Sequence, residues 1–115
     1  MNWDSIEWHD GTLQRLAVDF LADSVCELHV SLPRSSTSSE RVDYRFKMHG
    51  LARLNSNFDV LALLQHRAFG NITDGKIFPD PPSRLILILA EGYLEVIGTH
   101  LECQENGVIS VRSVL

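Results

Sequence analysis

"VCELHVSLPRSSTSSERVDYRFKMH", residues 25–49, decides the fold. Cys26, Leu28, Val30 and Leu32 alternate with Glu27, His29 and Ser31. Val42, Tyr44, Phe46 and Met48 alternate with Arg41, Asp43, Arg45, Lys47 and His49. In an extended chain successive side chains leave opposite faces. Both runs therefore read as strands with one face in a core and one in water. Between them "PRSSTSSE", residues 33–40, is small, polar and opened by a proline, the composition of a hairpin tip. The two strands are expected to pair antiparallel.

Upstream, "TLQRLAVDF", residues 12–20, is a third strand candidate, with Leu16, Val18 and Phe20 on its core face and Arg15 and Asp19 outside. "LADS", residues 21–24, then turns the chain, so the first three strands form a meander. Downstream the period changes. Asn55, Ser56 and Asn57 are helix-capping types, Phe58, Leu61, Leu64 and Ala68 recur at helical spacing, and Gly70 suits a helix end. This predicts one short helix over 58–68. "NITDGKIFPDPPS", residues 71–83, reads as a loop with a short extended piece at Lys76–Phe78.

"RLILILAEGYLEVIGTHLECQE", residues 84–105, joins two β-rich runs through Glu91-Gly92, which predicts a hairpin, although glutamate is a poor fit at positive φ. Leu85–Leu89 is apolar at every position, so that strand is expected to be central and covered on both faces. "ENG", residues 105–107, reads as a further turn, and 108–115 as a last strand. The expected architecture is a single domain over residues 1–115 of class α+β. It is a mostly antiparallel β-sheet of five to seven strands in meanders and hairpins, with the one helix. The helix covers one face, or the sheet folds into a small sandwich or open barrel.

The 115 residues suffice for a core without metal or disulfide support. The net charge of -5 argues against generic nucleic-acid binding. The charge is uneven: residues 1–33 hold six acids and Arg15, whereas 34–53 hold five bases against Glu40 and Asp43. Such asymmetry can guide a partner, or the bases can be the wet face of one strand. "MNWDSIEWHD" has no apolar leader core, and "LILILA" is too short to span a bilayer. The expected compartment is the cytoplasm, with Cys26 and Cys103 as buried apolar thiols.

"EWHDG", residues 7–11, invites a catalytic reading through His9-Asp10. Neighbours in an extended chain point apart, so the two meet only if the chain turns. Asp10-Gly11 is a turn dipeptide, in which Asp10 would bond local backbone amides. The pair resembles the His-Asp of metal-dependent phosphohydrolases, but those enzymes are helical and need further ligands that this strand-rich chain lacks. His29, His49 and His100 form a metal set only if strand order brings them together, and no H-x-x-x-H or C-x-x-C supplies ligands locally. No G-x-S-x-G elbow or phosphate-binding glycine loop occurs. No catalytic residue, metal ligand or cofactor is therefore assigned. Trp3 and Trp8 either plug the end of the sheet or anchor an interface.

With "WHDG" followed by "TLQRLAVDF", and later "GNITDG" at 70–75, the chain resembles a loose set of small bacterial proteins that open on an aromatic-His-Asp-small element. The set includes immunity proteins of polymorphic toxin systems. The resemblance implies a cytoplasmic, non-enzymatic binding protein that blocks a toxin, and it carries over no catalytic residue. The expected contact is the acidic N-terminal third with Trp3, Trp8, His9 and Asp10, or the basic face with Arg41, Arg45 and Lys47. The alternatives are a small metal-dependent or hydrolytic enzyme built on His9 and Asp10, and a homodimer joined at a sheet edge. Neither nucleic acid nor membrane is an expected partner.

Overall fold

The computed structural model describes residues 3–21, 23–35, 40–66 and 70–108. A 3-10 turn at Trp3–Ser5 leads into β1 (Thr12–Asp19), β2 (Val25–Pro33), β3 (Arg41–His49) and β4 (Arg53–Phe58). Then come α1 (Val60–Gln65), β5 (Ile72–Phe78), β6 (Ser83–Leu89), β7 (Gly92–Gly98) and β8 (His100–Val108). Among the described residues the strands form two four-stranded sheets, ordered β1-β2-β3-β8 and β4-β7-β6-β5. Every pairing within them is antiparallel.

The alternation in β2 and β3 works as its spacing dictates. Cys26, Leu28, Val30, Leu32, Phe46 and Met48 are buried. Across from them lie Ile72 and Ile77 of β5, Leu85, Leu87 and Leu89 of β6, and Leu94 and Val96 of β7, all in one cluster with Leu101 of β8. The two sheets thus share a core face to face, and each such side chain contributes roughly 1.5–3 kcal/mol by leaving water. Trp8 closes one end, 6% exposed, with its ring centroid 5.6 Å from that of Phe46. A Cβ on Gly75 would stand 2.5 Å from the Trp8 ring, so glycine gives the indole its seat.

Among the described residues the antiparallel pairing, the β1-β2-β3 meander and one short α-helix agree with expectation, with eight strands instead of five to seven. Several local readings are corrected. Asn55–Asn57 do not cap a helix. They lie in β4, an edge strand paired to β7, where Asn55 Nδ2 donates to Glu95 Oε1 at 2.8 Å. The helix starts later because Asp59 caps it, its carboxylate accepting from the Leu61 amide at 2.8 Å. Its buried face is Ala62 and Leu63, with Leu61 and Leu64 exposed; Ala68 lies outside the described residues.

Phe20 does not reach the core either. Pairing of β1 ends at Asp19, and Phe20 is 81% exposed. Leu13 and Leu16 face inward three positions apart because a bulge lies between Leu13 and Arg15. β5 is a full strand and not a loop with a short extended piece, its alternation masked by a bulge between Ile72 and Asp74. "ENG" is no turn: β8 runs through it, with an irregular register opposite Asp43 and Tyr44. The last strand expected over 108–115 lies, beyond Val108, outside the described residues. β6 is central, but only its inner face is covered: Ile88 and, across the pair, Tyr93 remain exposed.

Candidate binding surfaces

The N-terminal element is a turn. The Gly11 amide donates to the Trp8 carbonyl at 2.9 Å, and Asp10 sits at φ 68. Turning brings the neighbouring side chains together, His9 Nδ1 to Asp10 Oδ1 at 3.3 Å, with 73% and 63% of each side chain exposed. Instead of bonding local amides, the Asp10 carboxylate faces His9, while its backbone does the anchoring. The Asp10 amide donates to the Ile72 carbonyl at 3.2 Å, and its carbonyl accepts from Arg41 Nη1 at 2.9 Å. An ion pair in open water is worth little and orients little. Trp8 is buried, with part of it in the wall of one small cleft, while Trp3 is half-buried against the core.

The acids of this segment point out, with Asp4 and Asp10 beside β5. Asp4 is exposed and pairs with Lys76 at 3.6 Å, and Glu7, Asp10 and Asp74 are also exposed. Asp4, Trp3 and Asp74 line one small cleft of about 180 Å³. The N-terminal third therefore keeps its acidic character on the surface, held in place by the buried Trp8.

The outer face of the first sheet gathers the basic stretch. Register aligns Arg15 with His29 and Arg45, and Glu27 with Lys47 and Glu102. That face carries four cations (Arg15, Arg41, Arg45, Lys47) and four carboxylates (Asp19, Glu27, Asp43, Glu102). It is charge-balanced, so the bases of the 34–53 stretch that reach it, Arg41, Arg45 and Lys47, are the wet face of β3 among acids. Arg41 is a clamp between strands, donating also to Ser31 Oγ at 3.1 Å and the Ser31 carbonyl at 2.9 Å. Burial pulls its pKa below the usual guanidinium value. Arg45 Nε lies 3.0 Å from Glu27 Oε1 as an ion pair without an aligned hydrogen bond. Glu27 also takes a 2.7 Å bond with His29 Nε2, and that bond, ahead of the nearby cations, holds its carboxyl below the ordinary value. Asp43 goes the other way: partial burial raises its pKa, and its Oδ1 has no hydrogen-bond partner.

The histidines separate. His49 stacks on its cross-strand neighbour His100, with centroids 5.9 Å apart, and bonds Glu102 at 2.7 Å, whereas His29 is engaged with Glu27. Among the described residues no group of three or more His, Cys, Asp or Glu could hold a metal ion. Cys26 is buried as expected, whereas Cys103 is only half-buried; burial lifts the Cys26 thiol to about 11 and, with Glu105 adding to it, the Cys103 thiol to about 12, which favours the protonated form of both at neutral pH.

A third surface was not legible in the sequence. A cleft of about 490 Å³ runs along β1, lined by the consecutive residues Thr12–Leu16 and across from them by Phe58, Val60, Leu63 and Leu64. Five consecutive strand residues line it because both faces of the strand meet at its edge. β1 is an edge strand. Asn71 closes the cleft: its Oδ1 accepts from the Leu13 amide at 2.7 Å and its Nδ2 donates to the Leu63 carbonyl at 3.2 Å.

Among the described residues, fold and surfaces together define a two-sheet antiparallel β protein with one short α-helix. No family model matches the chain, and no curated protein or solved structure matches it either. Among the described residues no helix is long and apolar enough to cross a membrane.

Proposed function

We propose that this chain is a non-enzymatic cytoplasmic binding protein that neutralises a basic protein partner, in the manner of an immunity protein. The observation that carries this reading is the exposed acidic flank of Asp4, Glu7, Asp10 and Asp74, held beside β5 by the buried Trp8. Opposite charges arranged this way speed association and make it sensitive to salt. The basic residues support it less, because acids balance them on their own sheet face. The test is association with the product of a neighbouring gene, measured in stopped flow over a salt series. The triple variant Asp4→Lys, Glu7→Lys, Asp10→Lys slows association by tenfold or more and flattens the salt dependence. Unchanged rates would overturn the proposed contact, and no association with any adjacent-gene product would overturn the function.

The 3.3 Å approach of His9 to Asp10 favours a second reading, a small metal-dependent or hydrolytic enzyme. It requires stoichiometric metal or hydrolytic turnover in purified protein, lost in His9→Ala with the fold unchanged.

A further inference from the structure

We propose that two copies of this chain pair edge to edge through β1, antiparallel about a two-fold axis at Ala17, making one continuous eight-stranded sheet. The proposal is independent of the partner reading above. β1 is an edge of its sheet, and among the described residues no backbone bond is made on that side beyond the point where Asn71 occupies the Leu13 amide. An edge of this kind is a template for another strand, and a two-fold interface must be complementary to itself. Antiparallel pairing centred on Ala17 sets Arg15 against Asp19 of the second copy, and Asp19 against its Arg15. Both lie on the outer face, since Arg15 pairs with His29 and Asp19 with Val25 on β2. Among the described residues neither has a salt-bridge partner within its own chain. Opposite charges directly across strands favour pairing. The same register sets Leu16 against Val18, both inward.

A second observation falls on the same register. Phe20 and Leu21, 81% and 80% exposed, are the most exposed large apolar side chains of the described residues and immediately follow β1. With the bulge between Leu13 and Arg15 counted, the chain after Asp19 in one copy arrives at Leu13 of the other, at the mouth of the apolar cleft. Each copy thus carries an apolar plug, an apolar cleft and a cation–anion pair at spacings that match their own images. Pairing removes from water the two most exposed large apolar side chains of the described residues, the aromatic ring alone covering roughly 150–250 Å².

Sedimentation equilibrium on the full chain tests this, with circular dichroism checking that each variant keeps its strands. The wild type sediments at twice the mass of one chain at micromolar concentration. Arg15→Asp and Asp19→Arg each weaken the dimer at least tenfold, and the double variant, which restores the opposite charges across the axis, recovers it. Because the Asp19 carboxylate also accepts from the Leu21 amide at 2.8 Å, a merely local role would leave the double variant as weak as Asp19→Arg. Leu21→Ser, which leaves the charges alone, weakens the dimer as well. A monomer at every concentration, which would leave this edge to a different occupant, overturns the proposal. So does a dimer indifferent to the single reversals.

Discussion

Glu91 occupies the left-handed region at φ 58, in the connection between β6 and β7 where Leu89 pairs with Gly92. A side chain there crowds its own carbonyl, and the neighbouring glycine does not relieve it. Gly92 serves another need: a Cβ on it would fall on the Asn57 carbonyl oxygen of β4. Glycine at 91 would relax the turn without touching a neighbouring strand. Glu91→Gly is expected to raise stability by up to about 1 kcal/mol in urea unfolding, with an unchanged denaturant slope. Asp10, at φ 68, is the other described non-glycine residue in this region, and it differs in that its backbone bonds both Ile72 and Arg41. The anchoring of this turn is thus what brings the histidine and aspartate side chains together.

At the scale of elements, the outer face of the first sheet holds two carboxylates of opposite tendency. The pKa of Glu27 is lowered by its bond with His29, so Glu27 stabilises the fold above the ordinary value of 4.5 and loses that contribution as pH falls through its depressed folded value. The pKa of Asp43 is raised by burial, so its contribution is present below the ordinary 3.8 and disappears as pH rises through the elevated folded value. Unfolding midpoints measured from pH 7 to pH 3 separate the two. Glu27→Gln flattens the acid loss of stability, and Asp43→Asn steepens it. Both residues sit in strands that were legible because each buries one face, which forces strict alternation on the sequence. β4 was not: "RLNSNF" puts Leu54 and Phe58 inward but fills the rest with residues that also cap helices. β5 and β8 hid behind register irregularities that break the period of two. Of the surfaces, the acidic segment could be read directly. The β1 cleft could not, because Phe58, Leu63 and Asn71 reach it only through the packing of one sheet against the other.

Across the whole molecule, Asn71 is a polar tie between layers that share an apolar core. It is buried, follows α1, holds the Leu13 amide at the edge of one sheet and the Leu63 carbonyl of the helix, and immediately precedes β5 of the other sheet. Its side-chain amide accepts on one side and donates on the other, bridging the edge of the first sheet to the helix. Asn71→Ala leaves two backbone groups without partners and is expected to cost about 2–4 kcal/mol in chemical denaturation. Amide exchange would then quicken together in β1 and α1. The seat of Trp8 bears on how such changes can be followed. Its indole lies between Phe46 of the first sheet and Gly75 of the second, out of water. An indole in that position emits at short wavelength only while the two layers stay closed, and Trp3→Phe leaves it the chain's sole indole. The protein therefore carries its own optical gauge of layer separation, readable without a label.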